Sequence, residues 1–212
     1  MNLKVLLIIY SYVTALLVYL SYVFWDIPVA SFFYPRMYDD LWVVFDYITE
    51  AGEGGYWIYS TGLMYLGYRF LPLEKMPFGQ RLIKYRDADM RAAGFVALTA
   101  SVSGILVNLL KILFARFRPE LFFTQGEYGF SWFAQTHILA SFPSGHSATA
   151  MSVAAALTLL FPRYWWFFIL SGIVIIFSRV ILVEHYISDV LAGGYLGVMT
   201  SVFLYHRYYK NN

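Results

Sequence analysis

Phe142-Pro143-Ser144-Gly145-His146-Ser147 opens directly onto the apolar run from Ala148 to Phe161. A Ser-Gly-His start is costly for a membrane helix unless those groups meet a ligand or water. A helix mouth bearing a hydroxyl, unobstructed N–H groups and an imidazole is suited to an anion. Helix capping by Ser144 or Ser147 is the plainer reading of the same residues. Capping explains a serine, but not the company of Pro143, Gly145 and His146. The stretch therefore predicts a membrane helix that begins at a polar site, and the chain around it is read outward from there.

The 212 residues are 60% apolar, 21% aromatic and only 13% charged. Soluble domains carry about 25% charge, and the Trp and Tyr content suits bilayer interfaces. The net charge of +2 gives no support to nucleic-acid binding. Without cysteine there is no disulfide framework, thiolate metal site or cysteine nucleophile. The expectation is an all-α integral membrane bundle forming a single domain over residues 1–212.

Six spans follow from the apolar runs, at roughly 3–25, 56–73, 92–114, 146–161, 164–180 and 187–205. The first follows Met1-Asn2-Leu3-Lys4 and ends at aromatic residues, without a small-residue cleavage site, so it is read as retained. Between residues 26 and 55, Asp39, Asp40, Asp46, Glu50 and Glu53 alternate with aromatics. That pattern fits an amphipathic segment at the interface or a connecting loop. Residues 74–91 read as a polar connection, and 120–142 as a loop or short interfacial helices. No internal repeat is visible.

Orientation follows from the basic residues. With the N-terminus inside, the inner segments hold Lys4, Arg69, Lys75, Arg81, Lys84, Arg86, Arg91, Arg163, Arg207 and Lys210. The outer ones hold Arg36, Lys111, Arg116, Arg118 and Arg179. Ten against five places both termini in the cytoplasm. It also brings the end of span three, the start of span four and the link between spans five and six to one outer face.

Those three stretches carry the chemistry. In the first, Lys111 and Arg118 are seven apart, two turns along one helical face. Taken alone, snorkelling to headgroups is the plainer reading and an anion site the alternative; Arg116 lies on another face and is the better snorkelling candidate. The second is the opening stretch. In the third, His185 and Asp189 are four apart, on one face if the last helix starts near His185. A carboxylate there orients an imidazole and leaves its other nitrogen as nucleophile or base; a structural His–Asp pair is the alternative. Arg179 adds a planar cation suited to phosphate oxygens. Three cations, helix-start N–H groups and two histidines together point to phosphate, and phosphoryl transfer needs such neutralisation of its equatorial oxygens. No dense His/carboxylate cluster suggests a metal.

The three stretches resemble the signature of the type 2 phosphatidic acid phosphatase superfamily, which also includes vanadium haloperoxidases. The match is Lys111 with Arg118-Pro119, then Pro143 to His146, then Ser178-Arg179 with His185 and Asp189, in order and at the right spacing. The resemblance implies that His185 attacks phosphorus, Asp189 orients it and His146 protonates the leaving oxygen. Lys111, Arg118, Ser144, Gly145 and Arg179 would bind the phosphoryl oxygens, with no metal and no cofactor. It implies a lipid phosphate or diphosphate in the bilayer as substrate. Lipid A and undecaprenyl diphosphate lead, ahead of phosphatidylglycerophosphate and phosphatidic acid, and the setting would be a bacterial inner membrane. A transporter or channel with charged groups inside the membrane is the rival class, but broken helices and repeated halves are not evident. An inactive binding protein and a vanadate peroxidase are weaker rivals; vanadate is expected to inhibit instead.

Overall fold

The computed structural model describes residues 2–77, 79–134 and 136–209, so Lys210 of the polar tail lies outside the described residues. Among them the chain forms α1 (Leu3–Leu20), α2 (Asp26–Phe33), α3 (Asp40–Thr49), α4 (Gly54–Phe70) and α5 (Gly79–Phe114). Then come α6 (Pro119–Gln125), α7 (Gly145–Leu160), α8 (Trp165–Ile181) and α9 (Ile187–Leu204). Short 3-10 and π turns join them, and the one β feature among the described residues is an isolated bridge between Arg116 and Phe130.

Among the described residues, four helical stretches are long and apolar enough to cross a membrane: Leu3–Arg36, Leu82–Phe114, Pro162–Ile181 and Ile187–Arg207. Gly145–Leu160 is a shorter apolar helix, and α4, in the place of the expected second span, has 17 residues. Two expectations need correction. The polar stretch 79–91 is not a loop but the first part of the 36-residue α5. The first span does not end at Trp25: a π turn, Ser21–Trp25, carries the helix on into α2, which starts at the fully buried Asp26. The remainder of 26–55 is largely helical, with α3 packed on α8.

The centre of the bundle is α7. Every residue from Ser147 to Ala156 is buried, so this helix is enclosed on all sides. It shares one apolar cluster with Phe95, Val96 and Ala100 of α5 and a second with Ile176 and Val180 of α8. Lipid tails are as apolar as a leucine core, so close van der Waals packing of small side chains, rather than escape from water, holds membrane helices together. The sequence of α7 is accordingly rich in Ala, Ser and Thr.

On the facing side of α9, Gly193 and Gly197 are four apart. A Cβ at Gly193 would overlap the Ser144 carbonyl oxygen, and one at Gly197 the Ala148 carbonyl oxygen. One turn further on, the Ser201 hydroxyl donates to the Ser152 carbonyl at 2.7 Å. This stripe sets the register of α7 against α9, and therefore the position of Ser144 beside Asp189. By contrast α1 has no buried residue and ties to α9 through Ser11 and the Tyr195 hydroxyl at 2.8 Å.

Candidate active site

The chain reaches the site by two turns through the left-handed backbone region. Ala115 (φ 43°) follows the end of α5, and Val183 (φ 58°) follows α8. Such a conformation costs an alanine or a β-branched residue on the order of 1–3 kcal/mol. Each turn redirects the chain at once: Ala115 precedes Arg116 and Arg118, and Val183 precedes Glu184 and His185. After Ala115 the backbone pairs with the connection to α7. Phe117 N–H donates to Gly129 O at 3.1 Å, Arg118 N–H to Ile138 O at 3.0 Å and Ser141 N–H to Arg116 O at 3.1 Å.

Lys111 and Arg118 therefore do not share a helical face, because α5 ends at Phe114. The turn at Ala115 brings them together instead, and both line a cavity of about 280 Å³ with Asn108 and Thr136. Arg118 also lines a wider cavity of about 620 Å³, with Tyr34, Tyr38, His137 and Glu184. His146 lines a third of about 210 Å³, with Glu53 and Asn108.

Ser144 caps α7 by accepting from Ser147 N–H, as a plain N-cap does, so the capping reading holds. The cap is also a wall of the site: Ser144 N–H donates to the Asp189 carbonyl at 3.1 Å. A Cβ on Gly145 would lie 3.8 Å from Lys111 Nζ, so the lysine ammonium lies against the start of α7. Arg179 donates to the Thr49 hydroxyl at 2.9 Å.

His185 and Asp189 are not one face of a helix either. α9 begins at Ile187 with Tyr186 as N-cap, and His185 precedes it. Asp189 Oδ2 accepts Tyr186 N–H at 2.9 Å, closing the first turn of α9, and Ser141 Oγ–H at 2.6 Å. His185 Nδ1 faces the same oxygen at 3.5 Å. The dyad is thus held by a helix cap. Burial above all, then the cations Arg118, Lys111 and Arg179, push the His185 imidazole well below its ordinary pKa and keep it neutral.

Arg116 is the largest correction. It is not at a lipid interface but fully buried, and its guanidinium joins two fully buried carboxylates. Nη1 lies 2.5 Å from Asp189 Oδ1 and Nη2 lies 2.7 Å from Asp26 Oδ2. Burial opposes its charge, but Asp189 and Asp26 outweigh that and raise its pKa. The rings of Tyr186, Tyr22, Tyr128 and Phe130 surround it, with centroids 4.5 to 5.4 Å from Cζ.

Two more carboxylates escaped the sequence reading. Glu184 Oε2 lies 2.5 Å from Arg118 Nη1 and 3.6 Å from Arg179 Nη2. Glu53 Oε2 lies 3.3 Å from His146 Nε2. Adjacency to His185 was a visible hint for Glu184. Nothing in the sequence ties Asp26 or Glu53 to residues ninety or more positions away. Among the described residues no group of three His, Asp or Glu side chains is placed to hold a metal ion.

Comparison with known proteins places the chain in a family. The sequence model of the PAP2 superfamily matches residues 92–212. A lipid A 1-phosphatase of Rhizobium johnstonii is 32% identical over 195 residues, covering 90% of this chain and 76% of that protein. One from Rhizobium etli is 31% identical over 199 residues, covering 90% and 82%. The crystal structure of a transmembrane PAP2-type phosphatidylglycerolphosphate phosphatase from Bacillus subtilis shares the fold. Its TM-score is 0.51 at 19% identity, over 87% of this chain and 85% of that one. With the matching stretches gathered at one end of a helical membrane bundle, the chain belongs to the PAP2 superfamily and is one of its membrane-spanning phosphatases.

Proposed function

We propose that this phosphatase removes a phosphate from lipid A, at the outer face of a bacterial inner membrane and through a phosphohistidine on His185. The observation that carries the reading is the meeting of His185, backed by Asp189, with three cations and the start of α7 beside cavities at one end of the bundle. Nδ1 of the neutral imidazole is turned to Asp189, which leaves Nε2 as the nucleophile. Nε2 bonds to phosphorus as the bond to the leaving oxygen breaks, and His146 supplies the proton that oxygen needs. Lys111, Arg118, Arg179, the Ser144 hydroxyl and the Gly145 N–H bind the equatorial oxygens, where charge accumulates. Water, giving a proton back to His146, then attacks the phosphohistidine; the N–P bond breaks and releases phosphate and neutral His185.

The outer face follows from the excess of Lys and Arg in the opposite loops, which also leaves both termini cytoplasmic. Lipid A is preferred because both Rhizobium relatives are lipid A 1-phosphatases and each alignment covers 90% of the chain. Undecaprenyl diphosphate, phosphatidylglycerophosphate and phosphatidic acid are the competing substrates. Phosphate release by the purified protein from these four lipids in detergent, with and without EDTA, is the test. Fastest turnover of lipid A, unchanged by EDTA, is expected. Preference for another lipid overturns the substrate, and loss of activity in EDTA overturns a metal-free site.

A further inference from the structure

We propose that Asp26 and Arg116 are positioning residues for the reaction: through Asp189 they orient His185 and keep a net negative charge behind it. This rests on the reading of His185 as the nucleophile.

Arg116 cannot serve as a phosphate ligand alongside Arg118 and Arg179. It is fully buried, and both terminal nitrogens are engaged. Its contacts run to the back of the dyad. Nη1 reaches Asp189 Oδ1, the oxygen that does not face His185, and also donates to the Ser188 hydroxyl at 2.6 Å. The other oxygen, Oδ2, takes the donors from Ser141 and Tyr186 and faces the imidazole. With both oxygens engaged, the Asp189 carboxylate has one orientation.

Asp26 completes the electrostatics. It accepts from Arg116 Nη2 at 2.7 Å, from Ser188 N–H at 2.9 Å and from the Ser188 hydroxyl at 2.5 Å. Three donors favour the ionised carboxylate. An isolated Arg116–Asp189 pair would be neutral. Adding Asp26 gives one guanidinium and two carboxylates, which carry one net negative charge among apolar rings. His185 gains a positive charge as it bonds to phosphorus, and the set then becomes neutral overall. In a low dielectric such compensation is far stronger than in water. Three buried charges are an expensive way merely to hold helices together, since apolar residues of similar volume pack at least as well. The arrangement also gives the N-terminal helical stretch a stake in the chemistry, because the π turn Ser21–Trp25 carries α1 on to Asp26 at the start of α2.

The test is Asp26→Asn in the full-length enzyme in detergent. Loss of an outer partner that orients a reactive side chain is expected to lower kcat about 10- to 100-fold. KM and inhibition by vanadate should stay within about twofold, because the phosphate-binding cations are untouched. Asp26→Glu should recover part of kcat. Wild-type kcat in folded Asp26→Asn overturns the proposal, and so does a rise in KM at constant kcat. If Asp26→Asn does not fold, Ser188→Ala is read in the same way, since it removes one hydroxyl and strands no charge. A fall in kcat at constant KM supports the proposal; an unchanged kcat overturns it. His185→Ala separates the two levels. If it remains active, the nucleophile assignment itself fails; if it is inactive while Asp26→Asn is normal, only this inference does.

Discussion

Glu184 lies across the two arginines proposed to hold phosphate. Its Oε2 is 2.5 Å from Arg118 Nη1 and 3.6 Å from Arg179 Nη2. A single carboxylate oxygen thus meets both guanidinium groups, as an anionic phosphoryl oxygen would. Glu184 is half-exposed and lines the widest of the three site cavities, so it is able to swing aside.

Removing that charge should strengthen the hold on phosphate. Glu184→Gln frees the guanidinium groups of a charge-assisted partner, worth roughly one factor of ten in affinity. The Ki values for vanadate and inorganic phosphate should both fall by about that factor, measured by inhibition of lipid hydrolysis. Weaker inhibition by either anion would mean that Glu184 organises the arginines rather than competing with substrate.

The two histidines should separate by chemical step. His185→Ala should release no phosphate and take no label from a phosphate-labelled lipid, while inserting and purifying normally. His146→Ala should retain a residual rate about a hundred- to ten-thousand-fold below wild type, the usual share of a general acid. A labelled, acid-labile enzyme in His185→Ala would exclude that residue as the nucleophile.

Neighbouring glycines on α9 should differ sharply. Gly193→Ala sets a Cβ against the Ser144 carbonyl, a rigid backbone atom, and displaces the start of α7. Overpacking of this kind costs about 1–3 kcal/mol; activity should fall together with the detergent melting temperature. Gly194→Ala meets the flexible Met151 side chain, 3.3 Å from its Cβ, and should be mild. Equal effects at the two positions would contradict the register described above.

Acid should destabilise the fold through His185. Its folded pKa is lowered well below the ordinary 6.5, chiefly by burial and then by the site cations. As pH falls through 6.5 the unfolded chain takes up a proton that the folded chain refuses, so stability drops until the folded value is reached. Melting between about pH 7.5 and about pH 5 should show this loss, and His185→Gln should reduce it. An equal slope in the variant would show that His185 is not held neutral. For the same reason, His185 should give the activity profile no acid limb near 6.5.

Much of this protein is legible in its linear order. The apolar runs announce membrane helices because a bilayer demands long stretches without charge. The site residues announce themselves because charged and polar groups are so costly in that setting that each asks for a reason. Lys111, Arg118, the Ser144–His146 stretch, Arg179, His185 and Asp189 stand out as candidates in this way, and the structure brings them near one another.

How they meet was decided by tertiary structure. Helical spacing placed Lys111 with Arg118 and His185 with Asp189 on shared faces. The chain instead turns at Ala115 and caps α9 at Tyr186. Arg116 is the sharpest case. As a sequence position it is one more cation near a membrane surface; in the fold it is buried between Asp26 and Asp189, 90 and 73 residues away. Periodicity reports only what lies within a few turns of one helix. Which carboxylate neutralises a buried guanidinium depends on which helix ends pack together, and that is settled by close packing such as the Gly193–Gly197 stripe of α9 against α7.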